Sequence, residues 1–322
     1  MGRRAGAGPK TTPSPGLAAH RRASDVVTAA EGPIEQAVLR AVAYSDVFDY
    51  PVTVAEAHRY LVGMAAPLPQ VRAALEGLVP ARLTRRDGLY MLRGRGELVA
   101  TRRRRAAIAA RLWPEALRYG GVLAELPFVR MVAVTGSLAG DNVESDSDID
   151  YFVVTAGGRV WVSRGLSGVV RRLVGRRGVR LCPNYVLSEQ ALSLEDHNLV
   201  TAYELVQMVP LAGEDVYRRV RGLNAWTAEF LPNATGCPRR PRPLALRARR
   251  AARLAEVVLR TPIGGWMERA EWARFERMLP ARTTDPSEVV YSADCFKDHV
   301  DAWGKQILAA YAGRIAAQGA EP

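Results

Sequence analysis

The stretch Met131-Val-Ala-Val-Thr-Gly-Ser-Leu-Ala-Gly-Asp-Asn-Val-Glu-Ser-Asp-Ser-Asp-Ile-Asp-Tyr-Phe-Val-Val-Thr155 decides how the chain reads. Its apolar opening, Met131 to Val134, predicts a strand, and Gly136-Ser137 a turn followed by a polar loop. A second strand then starts with two carboxylates, Asp148 and Asp150. Side chains alternate along a strand, so these two are expected on one face while Ile149 points into the apolar layer. Like charges held together repel, and a divalent cation relieves them. Mg²⁺ suits the task because it takes oxygen ligands and commonly binds one or two carboxylates plus substrate phosphates.

Gly136 supplies the complementary half. Without a Cβ its backbone can approach a bulky anion and aim an N–H at a phosphate oxygen. Ser137 adds a hydroxyl and is expected to start a helix, whose N-terminus favours negative charge. Gly-Ser followed by a short loop and Ser-Asp-Ile-Asp on a strand resembles the DNA polymerase beta-like nucleotidyltransferase superfamily. The likeness is closest to its minimal nucleotidyltransferase type and covers residues 129–187. It implies a core of a small mixed sheet flanked by helices, with Asp148 and Asp150 as catalytic residues and ligands of Mg²⁺, Mn²⁺ being the other candidate. It further implies a nucleoside triphosphate (NTP) as substrate, its phosphates gripped by Gly136 and Ser137.

The superfamily usually carries a third acid on a neighbouring strand, and here that position falls to Asn184 in the strand read over residues 179–188. The polar face of that strand reads Arg180, Cys182, Asn184 and Val186. An amide can offer oxygen to a cation but cannot take a proton at neutral pH. Three outcomes stay open: activation by metal alone, a carboxylate reaching in from Glu189 or Glu204, or a site that binds nucleotide without turnover.

Working outward, residues 1–31 are rich in Gly, Ala, Pro, Ser and Arg and read as a disordered basic tail. Residues 32–96 read as three helices and a hairpin. The first helix, residues 34–48, turns Val38, Leu39 and Val42 inward; the second opens with the capping box Thr53-Val-Ala-Glu56; the third carries Val71, Leu75 and Leu78. Arg86-Asp87-Gly88 turns the hairpin. This pattern resembles a winged helix-turn-helix, which implies nucleic-acid contact through Gln70 and Arg72 and the arginines 82, 85, 86 and 93 around the wing.

Residues 97–127 form a connecting helix, kinked or restarted at Pro114, whose Arg102–Arg105 run reads as a solvated face. The core spans residues 128–212 and includes an amphipathic helix over 159–176. Val162, Leu166, Val169, Val170 and Leu173 are expected inward on it, with Arg164, Arg171 and Arg172 available to a triphosphate or an acidic acceptor. Residues 194–208 read as a helix with His197, Val200, Tyr203 and Glu204 along one face. A C-terminal helical region, residues 213–322, contains a linker over 224–243, a helical hairpin over 244–278 packed through Trp266, Met267, Ala270 and Phe275, and a last helix from Phe296.

The chain has 322 residues, 48% hydrophobic, enough for two or three domains with a real core. Its net charge of +12 favours an anionic partner, nucleotide, nucleic acid or acidic membrane lipid, although arginine abundance also follows from base composition. No apolar run is long enough for a membrane span, and Arg3 and Arg4 lead into no apolar segment, so no membrane partner and a cytoplasmic location are expected. Cys182, Cys237 and Cys295 are spaced too widely for a metal motif and read as reduced thiols. The resulting expectation is an Mg²⁺-dependent enzyme moving a nucleoside monophosphate onto an unknown hydroxyl. The rival is a nucleic-acid-binding regulator with a nucleotide-sensing, non-catalytic transferase domain.

Overall fold

The computed structural model describes residues 31–239, 244, 249–278, 289–298 and 302–319. The expected basic tail, Glu31 apart, lies outside the described residues, as does His299. Helix α1 (Pro33–Asp46) starts on proline, whose missing N–H would have no helical partner there. Helix α2 (Val54–Arg59) carries the capping box in full, with Glu56 N–H donating to Thr53 Oγ1 at 3.2 Å and Thr53 N–H to Glu56 Oε2 at 2.7 Å. Helix α3 (Leu68–Gly77) follows, then a hairpin of β1 (Leu83–Arg86) and β2 (Leu89–Leu92). Asp87 (φ 54°) and Gly88 (φ 75°) both adopt the left-handed backbone that a tight hairpin turn needs. Val38, Leu39, Val42, Val71, Leu75 and Leu78 meet in one core, as their spacing predicts.

Helix α4 (Leu98–Ala124) runs unbroken through Pro114. Ala109, Trp113, Ala116, Tyr119 and Leu123 are buried on both sides of the proline, so packing on the sheet outweighs its lost hydrogen bond. Within the Arg102–Arg105 run Arg103 and Arg104 are exposed, as read, but Arg102 and Arg105 are not solvated. Arg105 donates to Glu144 Oε1 at 2.6 Å, to the Phe48 carbonyl at 2.8 Å and to Asn142 Oδ1 at 3.2 Å, while Arg102 grips Glu56. The run staples α4 to the N-terminal helices and to the loop before the acidic pair.

The remaining elements are β3 (Val129–Val134), α5 (Gly136–Ala139), β4 (Ile149–Thr155), α6 (Val160–Gly175), β5 (Leu181–Ser188), α7 (Leu199–Gln207), β6 (Val209–Ala212) and α8 (Glu214–Leu223). After them come α9 (Thr227–Phe230), α10 (Arg249–Leu259), α11 (Pro262–Glu276), β7 (Val289–Tyr291), β8 (Cys295–Asp298) and α12 (Trp303–Ala317). Six strands form a mixed sheet in the order β6-β3-β4-β5-β8-β7, parallel only between β4 and β5, where α6 makes the crossover. Val132, Val134, Ile149, Tyr151 and Val153 face α4 and α6; Met131, Ala133, Phe152, Val154, Tyr185 and Leu187 face α7 and α8. The fold is therefore mixed α/β, a mixed sheet flanked by helices. No helix among the described residues is long and apolar enough to cross a membrane.

Several sequence expectations change. Helix α7 begins only at Leu199, because the Asn198 side chain caps it by accepting the Thr201 N–H at 3.0 Å, which leaves Glu195, Asp196 and His197 ahead of the helix. Phe296 lies in strand β8, not at a helix start, and pairs with Val186 of β5. Lys297 beside it is buried against Asp196 at 2.5 Å. Within the expected linker, α9 forms and Asn224 is fully buried, its amide bonded to Leu192 and Leu194. Strand pairing between distant segments leaves no local pattern, which is why β6 and β8 escape a sequence reading.

Candidate active site

The turn and the acidic pair meet at the N-terminal end of β4. Thr135 N–H donates to the Asp150 carbonyl at 3.1 Å, and Gly136 follows at φ 62°, exposed. A Cβ on Gly136 would collide with Asp150 Oδ2 and stand 3.1 Å from its Cγ, so glycine is required both by the backbone and by the carboxylate beside it. Ser137 accepts the Asn142 N–H on its carbonyl at 2.8 Å, which closes the loop between the two strands. Ile149 is buried in the core and anchors the pair that flanks it. Asp148 accepts from Arg180 Nε at 2.6 Å in an ion pair open to solvent; Asp150 accepts from Asn184 Nδ2 at 3.2 Å.

Burial, then the charges of Asp148 and Glu204, push the Asp150 carboxyl up to about 7, against the pull of a hydrogen bond from Cys182. Cys182 stands opposite Asp150 in the sheet register. Burial and the two aspartates push its thiol up to about 12, so it acts as a protonated donor and not as a thiolate ligand or nucleophile.

The donor set fits a hard divalent cation. Asp150 is a part-buried acid facing like charges, the arrangement that a cation relieves, and the oxygens of Asp148, Asp150 and Asn184 suit Mg²⁺ or Mn²⁺ better than zinc. Among the described residues no three His, Cys, Asp or Glu side chains are gathered as a ready-made metal cluster. A cation held there would have these two carboxylates and would take its remaining ligands from water or a bound molecule.

A bulge in β5 decides what stands beside Asp150. Asp150 pairs with Cys182 but Phe152 with Tyr185, so β5 holds one extra residue at Pro183 and Asn184. Proline suits the spot because it has no N–H to give the ladder. The bulge shifts the alternation: Val186 turns to the opposite layer, with Leu181, and leaves the polar face on which strict alternation places it. Asn184 stays against Asp150. Of the two spare acids, Glu189 gives its N–H to Thr155 at the far end of β4, about 16 Å along the strand from Asp150. Glu204 on α7 is the acid whose charge reaches Asp150, and with Asn184 it lines a void of about 10 Å³.

Two cavities flank this partition. A cleft of about 440 Å³, within the range for small-molecule sites, is lined by Gly136, Ser137 and Glu204 at one side and by Tyr44, Phe48 and Trp303 among its walls. Val200, Tyr203 and Gln207 complete the α7 side, so the helical spacing correctly predicts that face, except for His197, which stacks on Trp226 at 4.3 Å. The contribution of α1 and α12 carries no local signal in the sequence. A groove of about 710 Å³ runs between α6 and α11 and is floored by Cys182, Pro183 and Asn184. Asp150 is touched by Gly136 from the cleft and by Asn184 from the groove.

The N-terminal candidates for nucleic acid lie apart from this centre. Helix α3 exposes Gln70, Arg72, Ala73 and Glu76, and Arg85 pairs with Glu76 at 3.1 Å. Asp87 at the hairpin tip is paired with Arg103 at 2.8 Å. The outward face of α3 is thus close to neutral. Compared with protein-family models, with curated proteins and with solved structures, the chain matches none of them.

Proposed function

We propose that the protein is a Mg²⁺-dependent nucleotidyltransferase of the DNA polymerase beta-like type, with its N-terminal helices and hairpin forming a winged-helix unit that walls the nucleotide cleft. The packing of Gly136 directly on Asp150, beside Asp148, carries the reading. It puts a backbone able to approach phosphate next to an acidic pair in need of a cation, at the edge of a nucleotide-sized cleft. The Gly136 N–H and the Ser137 hydroxyl would hold the outer phosphates, with the nucleoside lying along Tyr44, Phe48 and Trp303. When bound, Mg²⁺ or Mn²⁺ would offset the charge of the acidic pair and polarise the phosphate oxygens. Arg180 must release Asp148 for this, a small demand because an exposed ion pair contributes about 0–1 kcal/mol.

Transfer then needs an acceptor hydroxyl oriented in line with the α-phosphorus. Its oxygen forms the new O–P bond, the bond to the β-phosphate oxygen breaks with release of pyrophosphate, and the proton passes to the Glu204 carboxylate, since Asn184 cannot accept it. The test is pyrophosphate release from each NTP with Mg²⁺ or Mn²⁺ and cell extract as acceptor source. Asp148→Asn and Asp150→Asn are each expected to abolish release with the fold intact; full turnover in both variants refutes the assignment.

Asn184 in the third-acid position favours a second reading, a nucleotide-sensing regulator. Calorimetry showing Mg²⁺-dependent NTP binding, with no pyrophosphate from any acceptor mixture, would select it.

A further inference from the structure

Helix α6 buries Val162 and packs Val170 on the core as its hydrophobic spacing predicts, but leaves two of the residues expected inward outside. Its buried positions are Val160, Trp161, Val162, Ser163, Ser167 and Val174, whereas Val169 and Leu173 are 52% and 54% exposed. Trp266 of α11, expected in the core, is 64% exposed. Val169 and Trp266 line the groove that ends on Cys182, Pro183 and Asn184. The arginines along it fall into two sets. Arg164 is buried in structure, paired with Glu271 at 2.9 Å and lying over the rings of Phe275 and Phe296; Arg274 shares the same glutamate. Arg171 and Arg172 are exposed on the groove wall, and none of the ion pairs formed among the described residues includes them.

We propose that this groove binds a single-stranded polynucleotide and delivers its end to the Asp150 partition. Arg171 and Arg172 meet the phosphates, and Trp266 stacks on a base. A duplex keeps its bases stacked on one another and has no face to give the tryptophan, whereas a single strand does. Two unpaired cations and an exposed indole in one concave site match that chemistry. The groove reaches the acidic pair through Asn184 and shares no lining residue with the cleft, so a strand and a nucleotide can be held together. What the strand is used for rests on the transferase reading; its binding does not, and it is measured without nucleotide or metal.

The experiment is fluorescence anisotropy of the full chain with labelled oligo(U) of roughly 12 nucleotides, matched to known single-strand site sizes. Trp266→Ala should weaken binding about five- to hundred-fold. Arg171→Gln with Arg172→Gln should flatten the slope of log affinity against log salt by about 1.4, two contacts at about 0.7 each. All three positions are exposed, and the two sets of variants are independent of each other if either unfolds. Unchanged oligo(U) affinity and salt slope in both sets overturn the proposal. So does loss of binding to phosphatidylserine vesicles with oligo(U) affinity retained, which would make the groove a lipid-docking surface. If oligo(U) binds as proposed while no pyrophosphate is ever released, the transferase reading fails and the groove stands.

Discussion

Glu56 and Arg102, 46 residues apart in the chain, face each other through hydrogen bonds of 2.7 and 2.9 Å. The same carboxylate accepts from the Tyr50 hydroxyl at 2.7 Å and from the Thr53 backbone, and Arg102 lies over the Tyr50 ring at 4.2 Å. One residue thus caps α2 and fastens α4 to the wall of the cleft of about 440 Å³, which Tyr50 lines. Burial alone would raise the Glu56 pKa, but the hydrogen bonds and charge of Arg102, with Thr53 and Tyr50, outweigh it and hold the carboxyl below its ordinary value.

A depressed carboxyl stabilises the fold fully above its unfolded pKa and stops doing so as pH falls through the lower, folded value. Glu56→Gln is expected to lose about 2–3 kcal/mol at neutral pH. Urea denaturation from pH 7 to 3 should show the wild type converging on the variant at the acid end; a constant gap would mean that the carboxylate charge is irrelevant.

Gly136→Ala should damage both fold and function. A left-handed alanine costs about 1–2 kcal/mol, and its methyl group displaces the Asp150 carboxylate. Lower thermal stability together with weaker NTP binding is expected. Normal nucleotide affinity in a folded variant would show that the turn does not touch phosphate.

Glu204→Gln separates proton transfer from binding. The amide keeps the shape of the side chain, so NTP affinity should hold while kcat falls about 10²- to 10⁴-fold. An unaltered kcat removes Glu204 from the mechanism and leaves hydroxyl activation to the metal.

With the α3 face near neutral and the positive charge confined to hairpin arginines such as Arg86 and Arg93, duplex binding is predicted to be weak and non-specific. Double-stranded DNA at physiological salt should bind no tighter than the non-specific range of about 10⁻⁴–10⁻⁶ M, with Arg72→Ala changing it less than twofold. Sequence-selective binding lost on that substitution would favour the nucleic-acid-binding regulator over the transferase.

Much of the architecture is legible where a local rule acts. The Thr53 capping box and the Asp87-Gly88 hairpin each use a few adjacent residues, and each forms as read. At the site, the closeness of Gly136 to Asp150 follows from two neighbouring strands joined by a short loop. The β5 bulge was hidden because strict alternation is only a default, and one extra residue moved Val186 to the other layer. The exposure of Val169 and Leu173 on α6 was hidden for a similar reason: several faces of that helix are apolar enough to bury, and contact with α11 selects one.

The chain alone determined which residues can carry charge, turn sharply or cap a helix, and therefore the strand, turn and acidic pair around Asp150. Tertiary structure decided that the charge of Glu204 reaches Asp150, which aromatics wall the cleft and that Arg171, Arg172 and Trp266 stand exposed along one groove. Those choices depend on pairings between segments far apart in the chain, whose free energy comes from buried area and shared hydrogen bonds and leaves no mark on any short stretch of residues.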